Sequence, residues 1–145
     1  MSKGTILFRD GAELVGRVLL AGLFLIEGTA KLRGYGDAAA YMALHHLLPT
    51  LLPFGIAIEL AAGASLALGW RMRPAALVLA IFCVITALIF HLKLGDRNQV
   101  LHLEKDLALA GALLMVWARD AGRFSLDARS RSLRSVSKTA AEAIK

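Results

Sequence analysis

The chain has 145 residues, which is enough for one domain of ordinary size. Hydrophobic residues make up 57% of it, charged residues make up 19%, and its mean hydropathy is +0.61. A soluble domain is about 45–50% apolar and about 25% charged, so this chain has too few polar side chains to cover a surface in water. The composition excludes intrinsic disorder, and the grouping of apolar residues in long blocks indicates a membrane protein.

Four apolar blocks follow one another along the chain, at about 13–32, 51–69, 74–91 and 103–118. Each has 16 to 20 residues, and a spanning helix needs about 20. The second block contains one charged residue, Glu59, and the fourth has the shortest uncharged stretch, 107–118. Pro74 suits the start of a helix because proline has no N–H to leave unpaired there. The blocks predict an all-α, integral membrane bundle of four transmembrane helices.

Lysine and arginine residues predict the orientation of these helices, because cytoplasmic loops carry more of them. With Arg17 left out as part of the first helix, the side with both termini and the second loop carries 11, and the other side carries five. We therefore predict that both termini are cytoplasmic. The predicted divisions of the chain are a cytoplasmic N-terminus at 1–12, the transmembrane domain at 13–118 and a basic cytoplasmic tail at 119–145. The predicted location is the inner membrane of a bacterium.

The net charge is +6, and most of the excess lies in the segment 119–145. We interpret this charge as attraction to an anionic membrane face and predict no nucleic-acid partner. Apolar residues recur in the segment at helical spacing, which is typical of an amphipathic helix lying on the inner leaflet. A solvated tail is the alternative, and we favour it for the last dozen residues.

Charged residues inside the first block share one face. At 100° per residue, Glu13, Arg17, Glu27 and Lys31 fall within about 80° of one another, and charges inside a span usually face the bundle interior. Glu13 with Arg17, and Glu27 with Lys31, are also spaced four apart, so they could form two local ion pairs. For Glu13 and Arg17 we weigh that alternative equally.

Glu59 lies between Gly55 and Gly63 at spacings of four, and small residues on one face let another helix approach closely. A lone carboxylate there must be protonated or paired. Glu59 is either a structural partner of Lys31 or Lys105, or a proton-handling or ligand-binding group.

The predicted topology places five polar residues in the outer half of the bundle, beside an apolar interior: Glu27, Lys31, Glu59, His91 and Lys105. We predict that they form a ligand site for an amphiphile, for which a quinone is one candidate. The alternative is an electrostatic network that keeps the helices in register. All four histidines, His45, His46, His91 and His102, also fall on the outer side, but they lack the spacing of a typical metal motif, and no metal site is predicted.

Several short motifs, in this order and spacing, resemble the DoxX family of small four-helix bacterial inner-membrane proteins. The motifs are Gly16-Arg17-Val18-Leu19-Leu20, Glu27-Gly28-Thr29-Ala30-Lys31-Leu32, Tyr41-Met42, Glu59, Leu68-Gly69-Trp70-Arg71-Met72-Arg73-Pro74, Phe90-His91, Lys105-Asp106-Leu107-Ala108-Leu109-Ala110-Gly111, Gly122 and Ser125-Leu126-Asp127. The resemblance covers about residues 12–128. Where the family usually has Lys-Asn, this chain has Lys105-Asp106, which adds a negative charge.

The resemblance implies a link to membrane redox systems, because relatives include a subunit of a thiosulfate:quinone oxidoreductase and members of a membrane oxidoreductase complex. The single cysteine, Cys83, excludes a CxxC pair, so redox chemistry would need a bound cofactor or a partner. We expect an auxiliary subunit of a quinone-linked oxidoreductase, with protein partners in a redox complex and a possible homo-oligomer. The alternatives are a membrane scaffold or assembly factor without chemistry and, less favoured, a small-solute transporter.

Overall fold

The structure, a computed structural model, describes residues 3–92, 95–119, 122, 124–130 and 132. Helices dominate these residues, and no strand occurs among them, so the prediction of an all-α fold is confirmed. The helices are α1 (Lys3–Arg33), α2 (Tyr35–Leu44), α3 (Leu52–Leu68), α4 (Met72–Phe90) and α5 (Arg97–Ala118), with a short 3-10 helix, Pro49–Leu51, before α3. The amphipathic helix predicted within 119–145 lies largely outside the described residues.

Four of the helices correspond to the predicted apolar blocks, but α1 begins ten residues and α5 six residues before its block. α1 starts at Lys3 and α5 at Arg97, because backbone hydrogen bonding can continue a helix through polar residues that hydropathy does not count. Asp96 supplies the start signal of α5, since its side chain accepts a hydrogen bond from the Asn98 amide at 2.9 Å.

Helix α2 was not predicted, because a ten-residue segment is too short to cross a bilayer and was taken as part of the loop between the first two spans. Its sequence contains Ala38, Ala39 and Ala40, and alanine is the strongest helix former. None of its residues is fully buried. α2 lies near the end of α1 and the start of α3, and this position matters for the candidate site.

The helices pack in the order α1, α3, α4, α5, with α1 and α5 in only slight contact. The buried core between them contains several small residues, which let the helices approach closely. Its buried members are Ala21, Phe24, Leu66, Met72, Ala76, Leu79, Ala80, Cys83, Ala110 and Leu113. Of the four charged residues predicted to share one face of α1, Arg17 is buried, Glu13 and Lys31 are partly buried, and Glu27 is exposed.

Large apolar side chains also cover the outside of the bundle, including Leu19 and Ile26 on α1, Ile81 and Leu88 on α4, and Met115 on α5. A soluble monomer rarely exposes so much apolar surface, whereas lipid tails accommodate it. Among the described residues, two segments are long and apolar enough to cross a membrane: Pro49–Leu68, with 20 residues, and Met72–Phe90, with 19. α1 and α5 carry more charged residues along their length than these two segments do.

The contact between α1 and α3 depends on two glycines. A Cβ atom at Gly28 would lie 2.9 Å from Leu60 Cδ2 and 3.2 Å from Glu59 Cβ, and one at Gly63 would lie 3.4 Å from Phe24 Cβ. The predicted close approach at Gly63 is therefore present, and Gly28 on the facing helix makes the tighter contact.

Replacing Gly28 with leucine is expected to lower the free energy of unfolding by about 1–3 kcal/mol, because the added side chain overpacks the contact with α3. Thermal unfolding in a mild detergent, followed by circular dichroism, would measure the change. Gly22→Leu is the matched control, because a Cβ at Gly22 meets nothing within 4 Å. Equal melting temperatures for the two variants would contradict the proposed role of Gly28.

A segment from the C-terminal region joins the ends of α1, α3 and α4. The Asp127 carboxylate accepts hydrogen bonds from the Arg71 and Met72 amides, both at 2.9 Å, and so caps the start of α4. The Asp127 amide donates in turn to the Gly69 carbonyl at 3.0 Å. The turn between α3 and α4 is thus stabilised by a residue more than 50 positions away.

Two residues in the first half of α1 bind the same segment. The Arg17 side chain, only 3% exposed, donates through Nη2 to the Phe124 carbonyl at 2.6 Å. Glu13 Oε1 accepts a hydrogen bond from the Gly122 amide at 2.8 Å. The local ion pair considered for Glu13 and Arg17 does not form, because each side chain binds backbone groups of the C-terminal segment instead.

Candidate functional site

A cavity of about 650 Å³ lies at the opposite end of the bundle from this C-terminal segment. All five α-helices contribute side chains to its lining, together with residues of the connection before α3 and of the connection after α4. The lining includes every predicted site residue: Glu27, Lys31, Glu59, His91 and Lys105. The structure therefore brings together, around one cavity, residues that are up to 78 positions apart in the sequence (Glu27 to Lys105).

An ion pair between α1 and α3 forms one side of the cavity. Lys31 Nζ lies 2.5 Å from Glu59 Oε1, a charge-assisted hydrogen bond of the stronger kind. Glu59 is 4% exposed, and its other oxygen, Oε2, is buried without a hydrogen-bond partner. Of the two partners considered for Glu59, the structure selects Lys31 over Lys105, and this also excludes the local pair of Lys31 with Glu27.

A second polar group occupies the side formed by α4 and α5. His91 Nδ1 lies 2.7 Å from Gln99 Oε1, and His91 Nε2 lies 3.8 Å from Asp106 Oδ2. The His91 ring also stacks on His102, with ring centroids 5.1 Å apart. His91 is thus held from two directions at the mouth of the cavity.

Gln99, His102 and Asp106 were not among the predicted site residues, although all three line the cavity. Their spacing contained a usable signal, because positions 99, 102 and 106 fall on one face of a helix at 100° per residue. For Gln99 and His102 the signal was missed because α5 was expected to begin at 103. Asp106 lies within that block and lines the cavity beside His91.

Glu27 and Lys105 line the cavity from α1 and α5, and both are exposed. Neither forms an ion pair with another residue in the described part of the chain. Their charges remain available to a ligand or to water at the cavity opening.

Aromatic side chains cover the cavity from α2. The Tyr41 ring lies 4.8 Å from the His45 ring and 5.5 Å from the Phe90 ring, measured between centroids, and His45 and Phe90 meet edge to face at 5.0 Å. Tyr41 and Phe90 both line the cavity. This aromatic cover was not predicted, because α2, the helix that positions Tyr41, was not predicted.

Apolar side chains also line the cavity, among them Leu23, Phe24, Phe82 and Leu109, together with the buried thiol of Cys83. The lining therefore combines charged and apolar side chains, an arrangement that suits a ligand with a polar head and an apolar body. Within the described residues, no three His, Cys, Asp or Glu side chains converge as a metal ion would require.

Two curated proteins of Escherichia coli (strain K12) are similar to this chain. The inner membrane protein YqjF is 30% identical over 118 residues, which cover 81% of this chain and 91% of that protein. The inner membrane protein YphA is 29% identical over 123 residues, which cover 80% of this chain and 88% of that protein. No solved structure matches the chain significantly.

The DoxX family model matches residues 12–92. The match covers more than half of the chain and spans α1 to α4 with the lysine, glutamate and histidine of the cavity. The prediction of the family is confirmed: the chain belongs to the DoxX family and is a protein of the bacterial inner membrane.

Proposed function

We propose that this protein is an auxiliary subunit of a quinone-linked membrane oxidoreductase system and that its cavity binds the polar ring of a quinone-type amphiphile. The observation that carries the proposal is that one cavity is lined both by the Lys31–Glu59 ion pair and by apolar side chains such as Phe24 and Phe82. Its volume of about 650 Å³ is within the usual range of small-molecule sites, about 300–1,000 Å³.

The polar residues would have distinct roles in such a site. Lys31 and Lys105 would balance charge and donate hydrogen bonds to ring oxygens, and His91 would donate or accept at the mouth. Glu59 and Glu27 would handle protons or hydrogen-bond the ligand. The sequence has one cysteine, Cys83, so the chain offers no dithiol pair of its own, and electrons would pass between the ligand and a partner protein.

The proposal includes four membrane-spanning helices, α1, α3, α4 and α5, with both termini in the cytoplasm. The excess of lysine and arginine near the termini supports this orientation, and the exposed apolar side chains on α1 and α5 support spans there. Reporter fusions after residues 46 and 145 would test it. Cytoplasmic activity at 145 and periplasmic activity at 46 are expected, and the reverse pattern would contradict it.

Ligand retention tests the function itself. The full-length protein, purified in mild detergent, should retain quinone that solvent extraction and mass spectrometry detect, together with co-purifying redox proteins. Gly55→Phe should lower the retained quinone at least tenfold, because Gly55 lines the cavity and the added ring would occupy it. Gly16→Phe is the control, since a Cβ at Gly16 meets nothing within 4 Å. Equal retention in both variants, or none in the unaltered protein, would contradict the proposal.

A second candidate is a membrane scaffold or assembly factor without a ligand. The Lys31–Glu59 pair favours it, because an ion pair between two helices can fix their register. Under this alternative, Glu59→Gln lowers only the yield of folded protein. Under the redox proposal, the same variant loses electron transfer at normal yield.

A further inference from the structure

We infer that the cavity selects the reduced, hydroxyl-bearing form of its ligand, a quinol, over the oxidised quinone. The inference rests on the proposed function and adds the redox state of the molecule that the site prefers. It starts from Glu59 Oε2, which is buried and accepts no hydrogen bond from any described residue.

A carboxylate in an ion pair only accepts hydrogen bonds. Glu59 Oε1 already accepts a hydrogen bond from Lys31 Nζ, so Oε2 is the oxygen that lacks a donor. A buried acceptor without a donor is unfavourable, and a ligand that supplies a donor removes this cost. Glu59 lines the cavity, and the terminal torsion of a glutamate side chain is soft, so rotation about this torsion can present Oε2 to a ligand.

The donor required here is a neutral hydroxyl. A cationic amine would lie beside the Lys31 ammonium, which already balances the charge of Glu59, and like charges at this distance repel. A quinone ring has carbonyl oxygens only and offers no donor. A quinol has two hydroxyl groups on the same apolar ring. Of the two redox forms, only the quinol can therefore donate a hydrogen bond to Glu59 Oε2.

The opposite wall fits the same ligand. When His91 carries its proton on Nδ1, the ring donates to Gln99 Oε1 across the 2.7 Å contact. In the neutral ring, Nε2 is then an acceptor, and its neighbour Asp106 Oδ2, at 3.8 Å, is an acceptor as well. Both walls of the cavity therefore present acceptors that a second hydroxyl could use.

The test compares decylubiquinol and decylubiquinone on the full-length protein in lipid nanodiscs, without oxygen, with binding to empty nanodiscs subtracted. We expect the quinol to bind about tenfold more tightly, which corresponds to about 1.4 kcal/mol, because it adds one hydrogen bond to a charged group. The dimethyl ether of the same quinol, which has no donor, should bind no better than the quinone. These comparisons need no altered protein.

Glu59→Gln should lose the preference for the quinol, because an amide can donate to the quinone carbonyl. Glu104→Gln, which alters an exposed carboxylate of α5 that does not line the cavity, should keep it. Equal binding of quinol, ether and quinone to the unaltered protein would overturn this inference and leave the proposed function standing. Binding of neither quinol nor quinone would overturn both.

Discussion

Replacing Lys31 with methionine is expected to lower the free energy of unfolding by about 3 kcal/mol, because it leaves the buried Glu59 carboxylate without its counter-charge. The lysine side chain is 33% exposed and the glutamate side chain 5% exposed, so the larger cost is that of the stranded glutamate. The expected loss is at the lower end of the range for breaking a buried ion pair, about 3–5 kcal/mol, because water reaches the lysine side chain. Thermal and denaturant unfolding in mild detergent would measure it.

Two controls isolate the ion pair from a general loss of charge. Lys105→Met removes an exposed lysine of the same cavity that pairs with no described residue, and its effect should stay within about 0.5 kcal/mol. The double variant Lys31→Met/Glu59→Leu should recover most of the stability, because replacing both members of a buried pair by apolar residues is often neutral. A double variant as unstable as Lys31→Met would show that the pair is not the cause.

Replacing Gly69 with alanine is expected to cost about 3 kcal/mol and to release the C-terminal segment from the ends of the helices. Gly69 has a φ of +64°, and the left-handed conformation costs other residues about 1–2 kcal/mol. A Cβ there would also lie 2.5 Å from Ser125 Cβ and 2.7 Å from Arg17 Nη1, so the segment or the arginine must move, and the resulting overpacking costs about 1–3 kcal/mol more.

Hydrogen exchange would detect the release of the segment as faster exchange of the Asp127, Arg71 and Met72 amides, which are all hydrogen-bonded through this junction. Gly16→Ala is the matched control, because Gly16 lies within α1 with open space around its Cα. It should leave this exchange unchanged and stabilise α1 by about 0.5–1 kcal/mol. Unchanged exchange in Gly69→Ala would contradict the role assigned to the glycine.

The helical fold and the inward face of α1 could be predicted from sequence because each depends on local periodicity. Arg17 and Lys31 fall on one stripe of α1, and both bind partners across the bundle. The five cavity residues could be grouped because membrane topology places the ends of successive spans on the same side. Their ligand-binding role remains a prediction.

Other parts of the site could not be predicted in this way. Helix α2 is too short to give a hydropathy signal, so Tyr41 and its cover over the cavity were missed. Gln99 lies in the polar first turn of α5, before the apolar block that begins at 103. The partner of Arg17 is a backbone carbonyl at Phe124, and backbone acceptors occur at every residue and give no sequence signal.

The sequence by itself determined that this chain is helical, suited to lipid, and supplied with a few inward-facing charges. Only the tertiary structure decided which of those charges meet: Lys31 with Glu59 and not with Glu27, and His91 with Gln99 and Asp106. The physical reason is that periodicity assigns a residue to a face of its own helix. Its partner depends on the rotation and depth of the neighbouring helices, which close contacts such as that at Gly28 establish.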